Sequence, residues 1–428
     1  MKSLGNVYFI GIKGVGMTSL ALAMQDAGWR VSGSDTDESF ITDEILASRH
    51  LEVSPLSAPI PKNMDLIVYS GAYQPPETTI LTKPLAQALA DFVKDRKVIA
   101  VAGVGGKTTT SAMLAALFSA AGRDVGYYVG TGSIAGLAAP GHVGTDPWYI
   151  VEADEYAVGK TDARPKFALL SPEIVITTNI VHDHPDIYKD EEATLAVFID
   201  LVKSIPPGGT WIYNPADPLT RRLLVLQGYT LKDIKLVPYA AEPHLKLSVF
   251  GSQNQADAQA AVLAAEAAGV PHEQAILGIQ AYQGAGRRQE FHGEVAGRLL
   301  YDDYGHHPSE IEITVRAFHE HFPGHRVLLV FESHTYTRTE ALLPDFAQAI
   351  ATADLPFIMP IFESAREKGK PHTVTPESFA AMVPGARSLT WENAAEQVWA
   401  ASRPGDIILT MGAGFVYKLH EEFKKHAD

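Results

Sequence analysis

Between an apolar run at 97–103 and an alanine- and leucine-rich stretch at 107–121 lies Gly103-Val104-Gly105-Gly106-Lys107-Thr108-Thr109-Thr110. A strand, a glycine-rich turn and a helix in that order commit the chain to an α/β layer, because parallel strands need a crossover between them. Glycines let the backbone turn so that several N–H groups face one anion, and the helix N-terminus adds a favourable dipole. In such a loop Lys107 bridges the β- and γ-phosphates and Thr108 ligates Mg²⁺. Gly103, Gly105, Gly106 and Thr109 complete the candidate nucleoside triphosphate site. Strict spacing would put glycine at 101, where the chain has Val101, so the loop is a shortened variant. The competing reading is a glycine-rich turn with an incidental Gly-Lys-Thr.

Short apolar runs alternate with amphipathic stretches along all 428 residues, and three blocks are distinguished. The first, 1–94, has strands at 7–11, 29–34 and 64–70 and a helix at 14–27, which together make a right-handed βαβ unit. The second, 95–292, has strands at 97–103, 148–152 and 173–178 and helices at 107–121, 191–204 and 255–268. The third, 293–428, opens with a hairpin at 294–302. Helices follow near 308–320, 342–353 and 392–402 and from about 414, with strands at 326–331, 357–360 and 406–410. The expected fold class is α/β in three domains: Rossmann-like N-terminal, central P-loop ATPase-like and Rossmann-like C-terminal.

Lys plus Arg is 35 against 50 Asp plus Glu, a net charge of −15, which disfavours nucleic acid and anionic membrane as partners. There is no cysteine, so disulfides, thiolate metal sites and cysteine nucleophiles are excluded. The N-terminal apolar stretch is too short for a signal peptide, and no run approaches 18 apolar residues. A cytoplasmic protein, monomeric or dimeric, is expected.

Other motifs sit at predicted strand ends, where ligands of doubly wound sheets bind. Gly11-Ile12-Lys13-Gly14-Val15-Gly16 has the spacing G-x-x-G-x-G, which fits a diphosphate at a helix N-terminus better than a dinucleotide. Asp35, ending Gly33-Ser34-Asp35, would lie near a sugar or base; the alternative is strand–helix packing only. Glu152, in Val151-Glu152-Ala153-Asp154-Glu155-Tyr156, can hold Mg²⁺ against phosphates; the alternative is a solvated acidic turn. Thr178-Asn179-Ile180-Val181-His182-Asp183-His184-Pro185-Asp186 offers imidazoles to a divalent metal, though each histidine alone is more often a surface residue. Gln253-Asn254 with Asp257 starts a helix, and Arg287-Arg288 offers anion-binding forks. Asp302-Asp303-Tyr304-Gly305-His306-His307-Pro308 opens the third block, and His334 and Arg338 could face a carboxylate.

In this order, from Gly11 to Gly414, the motifs resemble the Mur ligase family, the ATP-dependent amide ligases of peptidoglycan assembly. The resemblance implies the ATP loop at 103–110, the metal carboxylate at Glu152 and the metal histidine at His184. It implies the adenine-side amide at Asn254, the γ-phosphate arginine at Arg287 or Arg288 and the ribose-side acid at Asp303. It places UDP-sugar binding on Gly14, Val15, Gly16, Met17, Ser34, Asp35 and Ser70. Amino-acid binding falls on His306, His307, His334 and Arg338, with His306 or His307 taking the ammonium proton. The implied cofactors are ATP and Mg²⁺ at two sites, with Mn²⁺ as a substitute; Thr108, Glu152 and His184 are the metal ligands. The implied reaction joins the carboxylate of UDP-N-acetylmuramate to an amino acid, L-alanine favoured, through an acyl phosphate in cell-wall precursor synthesis. The alternative amine is the tripeptide of murein recycling, to which 152–156, 166–167 and 183–188 look closer, or another amino acid.

The chain departs from the family pattern at Val104-Gly105, Gln253, Asp257, Thr335 and Phe415. No lysine lies between Lys189 and Lys203, so the second metal is expected on His184 without a carbamylated lysine. Two other classes compete. A nicotinamide dehydrogenase would bind cofactor without ATP turnover, and a P-loop binding protein would lack ligase activity.

Overall fold

The protein is described from a computed structural model covering residues 4–160, 162–185, 187–228, 230–242, 244–363, 367 and 371–426. Asp186 of the fourth motif lies outside the described residues. The chain forms two compact units: Met1–His182 with Ile187–Ser248 and Asn254–Gly286, and Asp183–Asp186 with Val249–Gln253 and Arg287–Asp428. Among the described residues the first unit carries two large sheets and the second carries one, each packed with helices.

The N-terminal sheet is fully parallel, in the order Glu52–Pro55, Arg30–Asp35, Asn6–Ile10, Leu66–Tyr69, Thr82–Pro84. Helix Val15–Asp26 links its two central strands and buries Met17, Leu20, Ala21 and Met24 against them. The central sheet runs Lys235–Pro238, Thr210–Tyr213, Pro172–Thr177, Lys97–Ala102, Trp148–Glu152, Gly126–Tyr128, Gly141–His142. Only its last pair is antiparallel. Lys97–Ala102 is thus flanked by two strands that come later in the chain. Its register, Val101 beside Glu152 and Ala102 beside Thr177, brings three loops together at the carboxyl edge. Val101 is fully buried in mid-strand, which explains the missing glycine: the turn begins only at Gly103.

In the second unit the hairpin Glu290–Val295/Arg298–Asp303 turns at Ala296 and Gly297, both at positive φ. The sheet continues through Ile407–Met411, Val327–Phe331, Leu355–Ile358 and Arg387–Ser388. One core face gathers Ile311, Val315, Phe318, Phe331 and Phe346; the other gathers Leu328, Val330, Phe357, Ile408 and Phe423. The last helix begins at Leu419, five residues past its expected start, after a short turn at Val416–Lys418. Helix Leu343–Ile350 is preceded by a separate helix, Tyr336–Ala341, which the sequence pattern does not announce. Among the described residues no helix is long and apolar enough to cross a membrane.

Within the first unit His142 lies between two carboxylates, Asp26 at the end of the first helix (2.9 Å) and Asp124 (2.7 Å). The bond to Asp26, opposed by partial burial and helped by Asp124, raises the His142 pKa above its ordinary value of 6.5. Burial notwithstanding, His142 and Arg49 hold Asp26 below the usual carboxylate range. The stabilisation from the imidazolium is therefore complete below pH 6.5 and is lost as pH rises through the raised native value. From the side of Asp26 it persists above pH 3.8 and fades as pH falls through the lowered native value. With the ring one-third exposed, His142→Gln should cost about 0.5–1 kcal/mol near pH 5.5 and close to nothing at pH 8.5. Urea melts at the two pH values check this, and an equal loss at both would contradict it.

Candidate active site

The loop at 103–108 is built by two glycines with positive φ, Gly103 at 136° and Gly106 at 85°. A Cβ on Gly103 would collide with the Thr178 hydroxyl and the Asn179 backbone. One on Gly106 would lie 2.8 Å from Asp257 Oδ1. Helix Ser252–Ala267 thus packs on the loop through Asp257, and buried Asn254 lies one turn before it on the same face. Helix Lys107–Ala120 starts from Gly106 without a side-chain cap, so the positive end of its dipole faces the loop. Thr109 is buried in its first turn.

Lys107 Nζ donates to Gly103 O and Val104 O and lies 3.0 Å from Glu155 Oε2. Burial would lower its pKa, but Glu155, Asp154 and Glu152 together raise it, so the ammonium stays charged. Burial likewise works to raise the Asp154 carboxyl, yet Lys166 and Lys107 hold it well below the usual range. Thr108 Oγ1 donates to Glu152 Oε1 (3.0 Å), and the Gly130 N–H holds Glu152 Oε2 (2.7 Å). A hydroxyl and a carboxylate converging beside a phosphate-type loop are the hard oxygen donors that Mg²⁺ takes, so these residues fit that ion. Asp154, Glu155 and Asn179 stand in the quoted motifs without an assigned role. Only the folded register gives them one.

The N-terminal loop is braced by Asp35, whose Oδ2 accepts the Lys13 N–H (2.7 Å) and Oδ1 the Thr36 N–H (2.8 Å). The Gly11 N–H donates to Ser34 O (2.8 Å). Asp35 therefore shapes the loop first, and Tyr73, 3.4 Å from its Oδ1, joins it unforeseen. Burial and then the Asp35 charge push the Tyr73 phenol up to about 12. Helix Val15–Asp26 starts at Gly14 without a side-chain cap, and Ser70 N donates to Ile10 O at the next strand end. Val15 and Met17 lie in that helix's first turn. Gly16 has a packing reason as well: a Cβ there would meet the Tyr128 hydroxyl.

In the second unit Arg287 is turned inward. Its Nε donates to Asp302 Oδ2 (2.7 Å), Nη1 to Gly414 O (3.0 Å) and Nη2 to Gly412 O (2.6 Å), beneath the Tyr417 ring. That fork is engaged within the second unit. Arg288, half-buried over Tyr304, is the other arginine of the pair. Asp303 accepts from Gln289 N (2.9 Å) and Gly305 N (2.7 Å), and burial, partly offset by Arg288 and these amides, raises its carboxyl to about 6.

His307 is the N-cap of helix Pro308–His321, its Nδ1 accepting from the Ser309 N–H, with Glu310 closing a capping box. This gives its Nδ1 a role at the start of the helix. His306 is held well below its ordinary value by burial and by Arg338 and His334, so it is a weak base for an ammonium. Burial, then Arg338 and His184, lower His334 to about 3; it is neutral and stacks on Phe362. It can donate an N–H to a carboxylate but brings no charge. Arg338 is already engaged by Asp183 through Nε (2.9 Å) and Nη2 (3.1 Å), and Nη2 also reaches His184 Nδ1 (3.2 Å). A guanidinium only donates, so His184 Nδ1 accepts this bond. Asp183 and His184 also offer ligand atoms within 4.8 Å of each other, a donor pair of the kind a divalent cation takes.

Three family models match the chain: "Mur ligase family, catalytic domain" over 6–97, "Mur ligase middle domain" over 101–257 and "Mur ligase, glutamate ligase domain" over 287–414. The UDP-N-acetylmuramate–L-alanine ligase of Desulfitobacterium hafniense is 32% identical over 97% of this chain and 98% of its own. That of Bdellovibrio bacteriovorus is 33% identical, covering 96% of each. Among solved structures, the UDP-N-acetylmuramate–alanine ligase of Thermotoga maritima superposes with a TM-score of 0.75 at 20% identity, over 98% of both chains. A murein peptide ligase of Psychrobacter arcticus gives 0.73 at 22%, over 99% of this chain and 98% of its own. At these identities the two structures speak for the fold alone. Matched along nearly its whole length at above 30% identity, the chain belongs to the Mur ligase family.

Proposed function

We propose that this protein is the ATP-dependent ligase that joins the carboxylate of UDP-N-acetylmuramate to L-alanine in the cytoplasm. The observation that carries this reading is the full-length match to relatives bearing that name. A carboxylate is a poor electrophile toward an amine. Phosphorylation by ATP gives an acyl phosphate, the amine attacks its carbonyl, and phosphate leaves. Lys107 and the uncapped first turn of its helix would hold the transferring phosphoryl group. Thr108 and Glu152 would hold Mg²⁺, which neutralises charge on that group. The Gly14–Met17 turn, with Ser34, Asp35 and Ser70, would receive the UDP diphosphate end. Asn254 would face the adenine of ATP.

The test is phosphate release. A ligase releases phosphate only when ATP, UDP-N-acetylmuramate and an amine are present together. Release with ATP alone would instead mark a simple nucleotidase, and cofactor-dependent absorbance change without ATP turnover would mark a dehydrogenase.

A further inference from the structure

We propose that Asn179 is the positioning residue of the ATP loop: its side-chain oxygen takes the Val104 and Gly105 amides, so that the loop's remaining donors are aimed at the triphosphate. This rests on the reading of 103–108 as the nucleotide site. Asn179 Oδ1 accepts from Val104 N (2.8 Å) and from Gly105 N (3.0 Å), across 75 and 74 residues of sequence. A glycine-rich turn has backbone N–H groups pointing inward, and unanswered ones splay the loop or bind water. Here two are answered by a neutral amide, whose oxygen offers two lone pairs and adds no charge to repel a phosphate. Thr178 supplies the reverse contact, its hydroxyl donating to Gly105 O (2.5 Å). Gly103 leaves the space that the Thr178 hydroxyl and Asn179 backbone fill.

The clamp is itself rigid. Trp211 Nε1 donates to Thr177 Oγ1 (3.0 Å), and the buried Tyr239 hydroxyl reaches the carbonyls of Thr177 and Thr178 (3.3 Å each). Pro172–Thr177 pairs directly with Lys97–Ala102. The loop is therefore held from the strand beside it, which compensates for its shortened spacing.

Asn179→Ala should leave the affinity for UDP-N-acetylmuramate unchanged. It should weaken ADP and the non-hydrolysable analogue AMP-PNP at least tenfold by calorimetry, and raise KM for ATP more than it lowers kcat. Hydrogen exchange at the Val104 and Gly105 amides should accelerate at least tenfold. Asn179→Asp keeps the acceptor and should retain that amide protection; the added charge should still weaken the nucleotide. If Asn179→Ala binds nucleotide as well as or better than the unaltered protein, or keeps both amides protected, the positioning role is refuted. Failure of the unaltered protein to bind nucleotide would instead overturn the reading of the loop itself. If Asn179→Ala does not fold, the Asp variant decides: loss of amide protection there refutes the role.

Discussion

Replacing Lys107 with alanine should lower ATP-dependent phosphate release by about 10³-fold or more, with the affinity for UDP-N-acetylmuramate unchanged. The ammonium is the positive charge that the loop carries into its own centre, between Gly103 O, Val104 O and Glu155. The three acids around it keep it protonated across the working pH range. Lys107 is the one cationic side chain in 103–110 and would act beside the Mg²⁺ that Thr108 and Glu152 would hold. The substitution also removes the cation paired with buried Glu155, which lowers stability. The double variant Lys107→Ala/Glu155→Gln removes that cost. It should melt nearer to the unaltered protein and stay equally inactive. Recovery of activity in the double variant would show that the single one failed through folding.

Glu152→Ala should reduce turnover by about 10²–10³-fold and move the Mg²⁺ requirement to higher concentration. Glu152 ends the strand next to Lys97–Ala102, and its two oxygens divide the work: one is fixed by the Gly130 amide, the other meets the Thr108 hydroxyl. Glu152→Gln preserves the fixing bond but removes the charge and one of the two hard oxygens. It should retain the fold and fall between alanine and the unaltered residue. A Mg²⁺ titration of phosphate release in the three proteins separates these expectations. Indistinguishable midpoints would place the metal elsewhere.

How much of this was legible in the sequence depended on whether the partners were local. The loop at 103–110 was readable because strand, glycines, lysine and helix are contiguous, and Glu152 because an acid at a strand's carboxyl end is a recognisable pattern. Asn179 was quoted without a role because its partners lie some 75 residues away and only the parallel register of the central sheet unites them. The partners of Arg287 were out of reach for the same reason: the carbonyls of Gly412 and Gly414 that accept from it come more than 120 residues later. Arg338 likewise meets Asp183 across 155 residues. The capping role of His307 was itself legible in the sequence. His-Pro-Ser-Glu ahead of an amphipathic run has proline at the first helical position and glutamate at the third, which signals a cap. The elements that pattern alone did not announce are short, such as Thr210–Tyr213 and Tyr336–Ala341, where four to six residues hold too few periods to register.

The central claim is the bond formed, and mass analysis of the product tests it most directly. The protein would be incubated with ATP, Mg²⁺ and UDP-N-acetylmuramate, in parallel with L-alanine, other amino acids and the recycled tripeptide. The account predicts UDP-N-acetylmuramoyl-L-alanine in the L-alanine reaction, formed in step with ADP and phosphate. A product only with the tripeptide would reassign the amine while leaving the ligase chemistry in place. No condensed product with any amine, while ATP is bound or hydrolysed, would contradict the account.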